Sequence, residues 1–166
     1  MALATPAQAD RRAYVVTADQ LTAELAARFP QRRCLLAVAC ATLADPTVRL
    51  VNGDPRIFVS VRASPEIGEQ SLGEGTIEVA GKPRYEPASG AFFVDEPAVL
   101  RADFPGVAKS AVDQAALLSR EFLADYLKRT PVWVLDERDG QQAMAKLLLR
   151  EVSVRDGRLL LVIGDG

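Results

Sequence analysis

The chain contains no histidine among its 166 residues. This absence removes the most common general base, the catalytic triads that require one and most zinc sites. Without histidine, a hydrolase would need a carboxylate pair or a serine–lysine dyad, and no catalytic motif occurs in the sequence. We therefore expect a non-enzymatic protein with no metal ion and no cofactor.

An excess of positive charge is also missing. Lysine and arginine total 20 against 22 aspartates and glutamates, which leaves a formal net charge of -2. This balance argues against nucleic acid as a partner, because neutralising phosphates requires a basic surface. No apolar run approaches the ~18 residues of a transmembrane helix. A chain of this length buries roughly 70% of its unfolded surface, so we expect one soluble domain.

Cysteine is scarce, with two residues in the whole chain. Cys34 and Cys40 lie six positions apart in an apolar run that reads as one strand. An extended strand would hold them about 20 Å apart, too far for a disulfide bond. We therefore predict two buried free thiols, since cysteine is among the most buried residue types.

The N-terminal residues lack the features of an intact signal peptide. Residues 1–9 contain no basic residue, and their apolar stretch is too short. Location in the cytoplasm and removal of a leader both remain possible from the residues alone. Residues 1–13 are small and unpatterned, so we predict a flexible tail followed by one domain over residues 14–166.

Hydrophobic periodicity predicts three helices. Thr17 and Gln20 have the spacing of a capping box, which predicts a short helix over 17–29. Apolar residues recur every three or four positions over about 107–129 and predict a long amphipathic helix. Asp139 is a suitable N-cap for a short helix over 140–149.

Alternating apolar residues and turn residues predict an antiparallel meander of strands. The clearest part is a C-terminal hairpin over 151–163, in which the turn Asp156–Gly157 places Arg155 opposite Arg158. Two segments, 34–40 and 159–163, are apolar on both faces. We therefore expect other elements to shield both of their faces from water.

Several motifs, taken in order, resemble one known family. They are Phe29–Pro30, Asp45–Pro46, Gly81–Tyr85, Gly90–Asp95, Pro131–Leu135 and Val152–Ile163. This order resembles the YceB-like family of bacterial lipoproteins, a family of unknown biochemical function, over roughly residues 17–164.

The resemblance implies a likeness to the tubular lipid-binding (TULIP) superfamily, in which an antiparallel sheet wraps a long helix and apolar ligands lie between them. The predicted long helix would span about 33 Å, a length that several twisted strands could cross obliquely. We therefore predict an α+β fold, with a strongly twisted antiparallel sheet wrapped around the helix at about 107–129.

We predict that a lipid or other long apolar molecule binds in a groove between this helix and the sheet. The predicted ligand-binding residues are Val112, Ala116, Ser119, Phe122, Leu123, Tyr126, Val59, Val61, Ile77, Val79, Phe92 and Val94. An ordinary packed core would use the same residues, and both interpretations stay open. The alternative function is an envelope protein–protein interaction module with a closed core and no ligand.

Two features bear on membrane contact. Arg28, Arg32 and Arg33 gather near a predicted helix C-terminus, where they either complement the helix dipole or contact an anionic lipid headgroup or partner. The resemblance also implies a periplasmic protein anchored by a lipid-modified cysteine. No cysteine precedes Cys34, so peripheral membrane association would need a lipid anchor that is missing from this chain.

Overall fold

The computed structural model describes residues 12–35 and 37–164, and this part of the chain is mostly strand. Its strands are β1 Arg12–Thr17, β2 Gln31–Leu35, β3 Ala39–Leu50, β4 Ile57–Ile67, β5 Gln70–Ser71, β6 Gly75–Glu86, β7 Ala91–Asp103, β8 Trp133–Val134, β9 Leu149–Arg155 and β10 Arg158–Ile163. Its helices are α1 Ala18–Ala26, α2 Lys109–Arg129 and α3 Gly140–Leu148. The predicted tail over 1–13 lies outside the described residues, apart from Arg12 and Ala13, which begin β1.

The strands form two separate antiparallel sheets. The larger sheet has seven strands in the order β2-β3-β4-β6-β7-β8, with β5 paired to β4. The smaller sheet has the order β1-β10-β9, so the first strand of the described chain pairs with the last. One continuous apolar core joins side chains from both sheets and from α1, α2 and α3.

The predicted architecture, a sheet wrapped around one long helix, is wrong. The larger sheet has two separate edge strands, β2 and β8, and α2 contacts β7, β3, β4 and β6 from one face. The apolar face of this sheet is shared by several elements: α1 packs on β3, where Thr22 accepts a 2.8 Å hydrogen bond from Val48 N. The hairpin of the smaller sheet reaches the same end, where Asp156 N donates to Asn52 Oδ1 at 3.3 Å.

The opposite face of the larger sheet carries polar and charged side chains, and arginines cover the rings of Phe58 and Phe93 on it. On β4, Ser60 alternates with the buried Val59 and Val61, and its hydroxyl donates to Glu78 Oε2 at 3.1 Å. Arg49 also bonds Glu78, at 3.1 Å, and its guanidinium lies over the Phe58 ring. Only one face of the sheet therefore needs apolar cover, and α1, α2 and the smaller sheet together provide it.

Two local predictions are confirmed. The capping box at α1 is present, with Gln20 N donating to Thr17 Oγ1 at 3.1 Å and Thr17 N donating to Gln20 Oε1 at 2.8 Å. In the C-terminal hairpin, Arg155 pairs with Arg158 across the turn. Asp156 and Gly157 both have positive φ angles, 54° and 70°, which suit a two-residue hairpin turn.

The prediction of two free thiols is wrong, because Cys34 and Cys40 form a disulfide bond. The run that was read as one strand is a hairpin: β2 ends at Leu35, β3 begins at Ala39, and Ala37 in the turn has φ 63°. This reversal pairs Cys34 directly with Cys40 and brings their Cα atoms to 4.0 Å. The disulfide therefore ties the edge strand β2 to β3.

Removing this disulfide is expected to lower the free energy of unfolding by about 2 kcal/mol, because a short loop in the unfolded chain is no longer closed. The test is urea unfolding of the double variant C34S/C40S beside the wild type. Reductant should bring the wild type to the stability of the variant and leave the variant unchanged. Equal stability of the oxidised wild type and the variant would contradict the expectation.

Candidate functional site

The apolar residues predicted to bind a ligand meet in the structure. Phe122, Leu123 and Tyr126 of α2 are buried in one cluster together with the predicted sheet residues. Those sheet residues are Val59, Val61, Ile77, Val79, Phe92 and Val94. All nine side chains belong to the buried core, and both a packed core and a ligand site would use them.

The remaining predicted residues lie closer to the start of α2. Ser119 is fully buried, and Ala116 is partly buried against the core. Val112 lies on the same helix, and its side chain lies outside the part of the chain that the structure describes.

The two halves of α2 differ in burial. From Ser119 onward five side chains are buried: Ser119, Phe122, Leu123, Tyr126 and Leu127. From Lys109 to Leu118 none of the described side chains is buried, and Leu117 is 52% exposed. The described side chains of the second half are therefore more deeply buried, while Ala116 and Leu118 of the first half are partly buried against the core.

The first half of α2 lies near one end of the larger sheet, which we call the distal end: residues 37–39, 67–75 and 103–107. Strand pairing places these segments side by side, since Ala39 pairs with Ile67 and Thr76 with Asp103. Two apolar side chains are exposed at the distal end, Val38 at 55% and Ile67 at 44%. Part of the apolar surface that the core leaves uncovered therefore lies at the distal end.

The surface cleft between α2 and β7 has a different character. It has a volume of about 540 Å³ and combines Val94 and Ala124 with charged residues of both elements. The charged residues that line it are Arg84, Asp95, Glu96, Glu121, Asp125 and Lys128. This lining does not suit a long apolar molecule.

Four buried polar atoms in the described residues have no hydrogen-bond partner: Arg33 Nε, Ser119 Oγ, Tyr126 Oη and Trp133 Nε1. Buried polar groups in proteins are nearly always paired, and each unpaired group costs about 1–3 kcal/mol. Ser119 and Tyr126 are seven residues apart on α2 and therefore lie on the same face, about 10 Å apart along the axis. Two of the four atoms thus belong to the face of α2 that packs on the sheet.

Arg33 lies against the second half of α2. It pairs with the buried Ala41, so its side chain shares the face of the sheet that α2 covers. Its guanidinium carbon is 5.5 Å from the centre of the Tyr126 ring, and Phe29 meets the same ring edge-on at 5.1 Å. This contact is a cation–π interaction, which does not satisfy the Nε–H donor.

Burial controls the ionisation of Tyr126. Desolvation raises the pKa of its hydroxyl, and the charges of Arg28 and Arg33, together with the adjacent Thr130 side chain, oppose this only in part. Although Thr130 is close, the hydroxyl makes no hydrogen bond of normal geometry. Tyr126 is therefore a neutral, buried donor at neutral pH.

The three arginines that the sequence grouped together have different surroundings. Arg28 donates to the carbonyl oxygen of Pro131 and lies 3.6 Å from Glu24, and Arg32 forms an ion pair with Glu66. Among the described residues, no carboxylate lies within ion-pair distance of Arg33. The sequence indicates the arginine cluster but does not distinguish Arg33 within it. The distinction depends on the strand pairing that turns Arg33 toward α2, and the sequence pattern does not predict that pairing.

A second apolar surface lies on α3. Met144 and Leu147, one helical turn apart, are exposed, Leu147 at 79%. Met144 also lines a surface cleft of about 600 Å³ together with Tyr14 and Ile163. This cleft lies between α3 and the smaller sheet, away from α2.

Two further observations concern the described residues alone. No helix there has the length and hydropathy that spanning a membrane requires. No group of three or more acidic or cysteine side chains in that part of the chain could hold a metal ion.

Comparison with curated proteins gives no match. A family model described as "Protein of unknown function (DUF1439)" matches residues 16–158, which is most of the chain. That description mentions neither YceB-like lipoproteins nor the tubular lipid-binding superfamily. The chain therefore belongs to the DUF1439 family.

Proposed function

We propose that this protein is a non-enzymatic binding module that takes up a lipid or other long apolar molecule between the first half of α2 and the larger sheet. The observation that carries the proposal is the contrast in burial along α2. Five side chains of its second half are buried, whereas the described side chains of its first half are partly buried or exposed.

The free energy of such binding comes from apolar area. An inserted chain gains about 25 cal/mol for each Å² of apolar surface removed from water. Ala116 and Ser119 contribute small side chains to the helix face, and Val38 and Ile67 add exposed apolar surface at the distal end.

We place this function in the cell envelope. The Cys34–Cys40 disulfide supports the proposal, since disulfides persist in oxidising compartments such as the periplasm and are rare in the cytosol. The resemblance to YceB-like lipoproteins, and through it to the tubular lipid-binding superfamily, supports the same location. It also supports attachment to a membrane through a lipid anchor.

Native mass spectrometry after gentle purification, followed by displacement of a fluorescent fatty acid, tests the proposal. We expect the protein to retain an apolar adduct and to bind the fluorescent probe at a stoichiometry of one. A protein that carries no adduct and binds no probe would contradict it. The oxidised form must be used, because reduction removes the cross-link between β2 and β3.

A second candidate is docking of a protein partner in the envelope. It is favoured by the exposed pair Met144 and Leu147 beside the cleft between α3 and the smaller sheet. Exposed apolar surface of this kind often marks an interaction site. If L147E loses a captured envelope partner and keeps uptake of the fluorescent probe, docking and ligand binding are separate functions of the two surfaces.

A further inference from the structure

We infer that Arg33 and Tyr126 form a subsite for an anionic oxygen group, a carboxylate or a phosphate, carried at one end of the bound apolar molecule. This inference rests on the proposed function and names the chemical class of its ligand: an anionic amphiphile. The subsite lies where the edge strand β2 meets the second half of α2.

The donors of the subsite are present and unused. Arg33 Nε is buried without a hydrogen-bond partner, and the Tyr126 hydroxyl, in a residue that is 3% exposed, is also unpaired. Both belong to side chains already in contact through the ring of Tyr126. An anionic oxygen between them would accept hydrogen bonds from both, and bonds to a charged acceptor are the stronger kind.

The neighbouring arginines show why Arg33 is the candidate. Arg32, the preceding residue on the same strand, pairs with Thr42 and points to the opposite face, where Glu66 neutralises it. Arg28 is already engaged by Pro131 and Glu24. Among the described residues, Arg33 is the arginine of this cluster that no carboxylate neutralises. Its charge can therefore pair with an external anion.

The position of the subsite fits an elongated ligand. From Tyr126 back to Ala116 is ten residues of helix, about 15 Å. Ser119, fully buried and with an unpaired hydroxyl, lies between them on the same face. A headgroup at Arg33 would therefore leave the apolar tail directed along α2 toward the distal end.

The test compares two probes with the same chain and different headgroups, decanoate and decanol, by displacement of a neutral fluorescent apolar probe. We expect the wild type to bind decanoate about tenfold more tightly than decanol, the size of effect that one charge-assisted contact produces. R33Q should remove this preference and leave decanol binding unchanged. The matched control R32Q, which alters the adjacent arginine, should retain the preference in full.

A second variant guards against a folding defect. Y126F keeps the ring that packs on Phe29 and Arg33 and removes only the hydroxyl, so we expect it to lower the preference severalfold at unchanged melting temperature. Equal binding of decanoate and decanol by the wild type, or an unchanged preference in R33Q, would overturn the inference and leave the proposed function standing. Failure of every apolar probe to bind would overturn both.

Inorganic phosphate distinguishes the two possible sources of the anion. We expect it to compete with decanoate only at concentrations far above those of decanoate. If phosphate alone binds as tightly as decanoate and loses this binding in R33Q, the site serves a free anion. That result would overturn the assignment to a ligand headgroup.

Discussion

Replacing Phe92 with alanine is expected to lower the free energy of unfolding by about 3–5 kcal/mol. Phe92 is fully buried, and its ring packs on Tyr85 with centroids 4.7 Å apart. Its backbone also pairs with Trp133, and its carbonyl accepts a hydrogen bond from Val132 N at 2.8 Å, so the site cannot collapse freely. Alanine would therefore leave a cavity at the centre of the core.

Urea unfolding followed by circular dichroism measures this change. The control is L147A, which removes a large apolar side chain that is 79% exposed and should change stability by less than about 0.5 kcal/mol. Replacing a buried phenylalanine with alanine typically costs about 3–5 kcal/mol. A loss of under about 1 kcal/mol in F92A would therefore mean that the core is not packed around this ring.

The variant A116W is expected to weaken binding of the fluorescent fatty acid at least tenfold. Ala116 is partly buried against the core in the first half of α2, so an indole ring there would occupy the space assigned to the ligand. The same ring should change the free energy of unfolding little, because it fills space instead of displacing packed side chains. In a closed interface, overpacking would cost about 1–3 kcal/mol.

The control for A116W is L117W. Leu117 is the next residue of the helix and is 52% exposed, so the same indole ring would point away from the proposed site. We expect L117W to bind the probe like the wild type. Equal binding by the two variants would place the ligand elsewhere, and strong destabilisation of A116W would indicate solid packing under the whole helix.

Some features could be predicted from the sequence because they depend on residues close together in the chain. The capping box needs only Thr17 and Gln20, three positions apart, and the register of the C-terminal hairpin needs only the turn at Asp156 and Gly157. In both cases the interacting groups are specified by one local backbone geometry.

The disulfide could not be predicted in the same way. Residues 34–40 are apolar enough to read as one strand, and no glycine, proline or asparagine signals a turn between the two cysteines. The chain instead reverses at Ala37, which has a positive φ angle. This conformation is uncommon for alanine, so the residue type does not predict it. The pairing of β2 with β3 then sets the cysteines opposite each other.

The architecture was mispredicted because periodicity reveals which face of an element is buried and not what covers it. The pairing of β1 with β10 joins Arg12 to Ile163, a contact that no local pattern indicates. That pairing creates the smaller sheet, which covers part of the apolar face assigned to one helix. The candidate subsite was missed for the same reason, since Arg33 and Tyr126 come from distant segments.

Hydrogen–deuterium exchange along α2, with and without decanoate, tests the central claim most directly. Without ligand, we predict that backbone amides over 109–118 exchange faster than those over 119–129, because the described side chains of the first half are less deeply buried. Decanoate should slow exchange over 109–118. Slow exchange along the whole helix, unaffected by decanoate, would contradict the account.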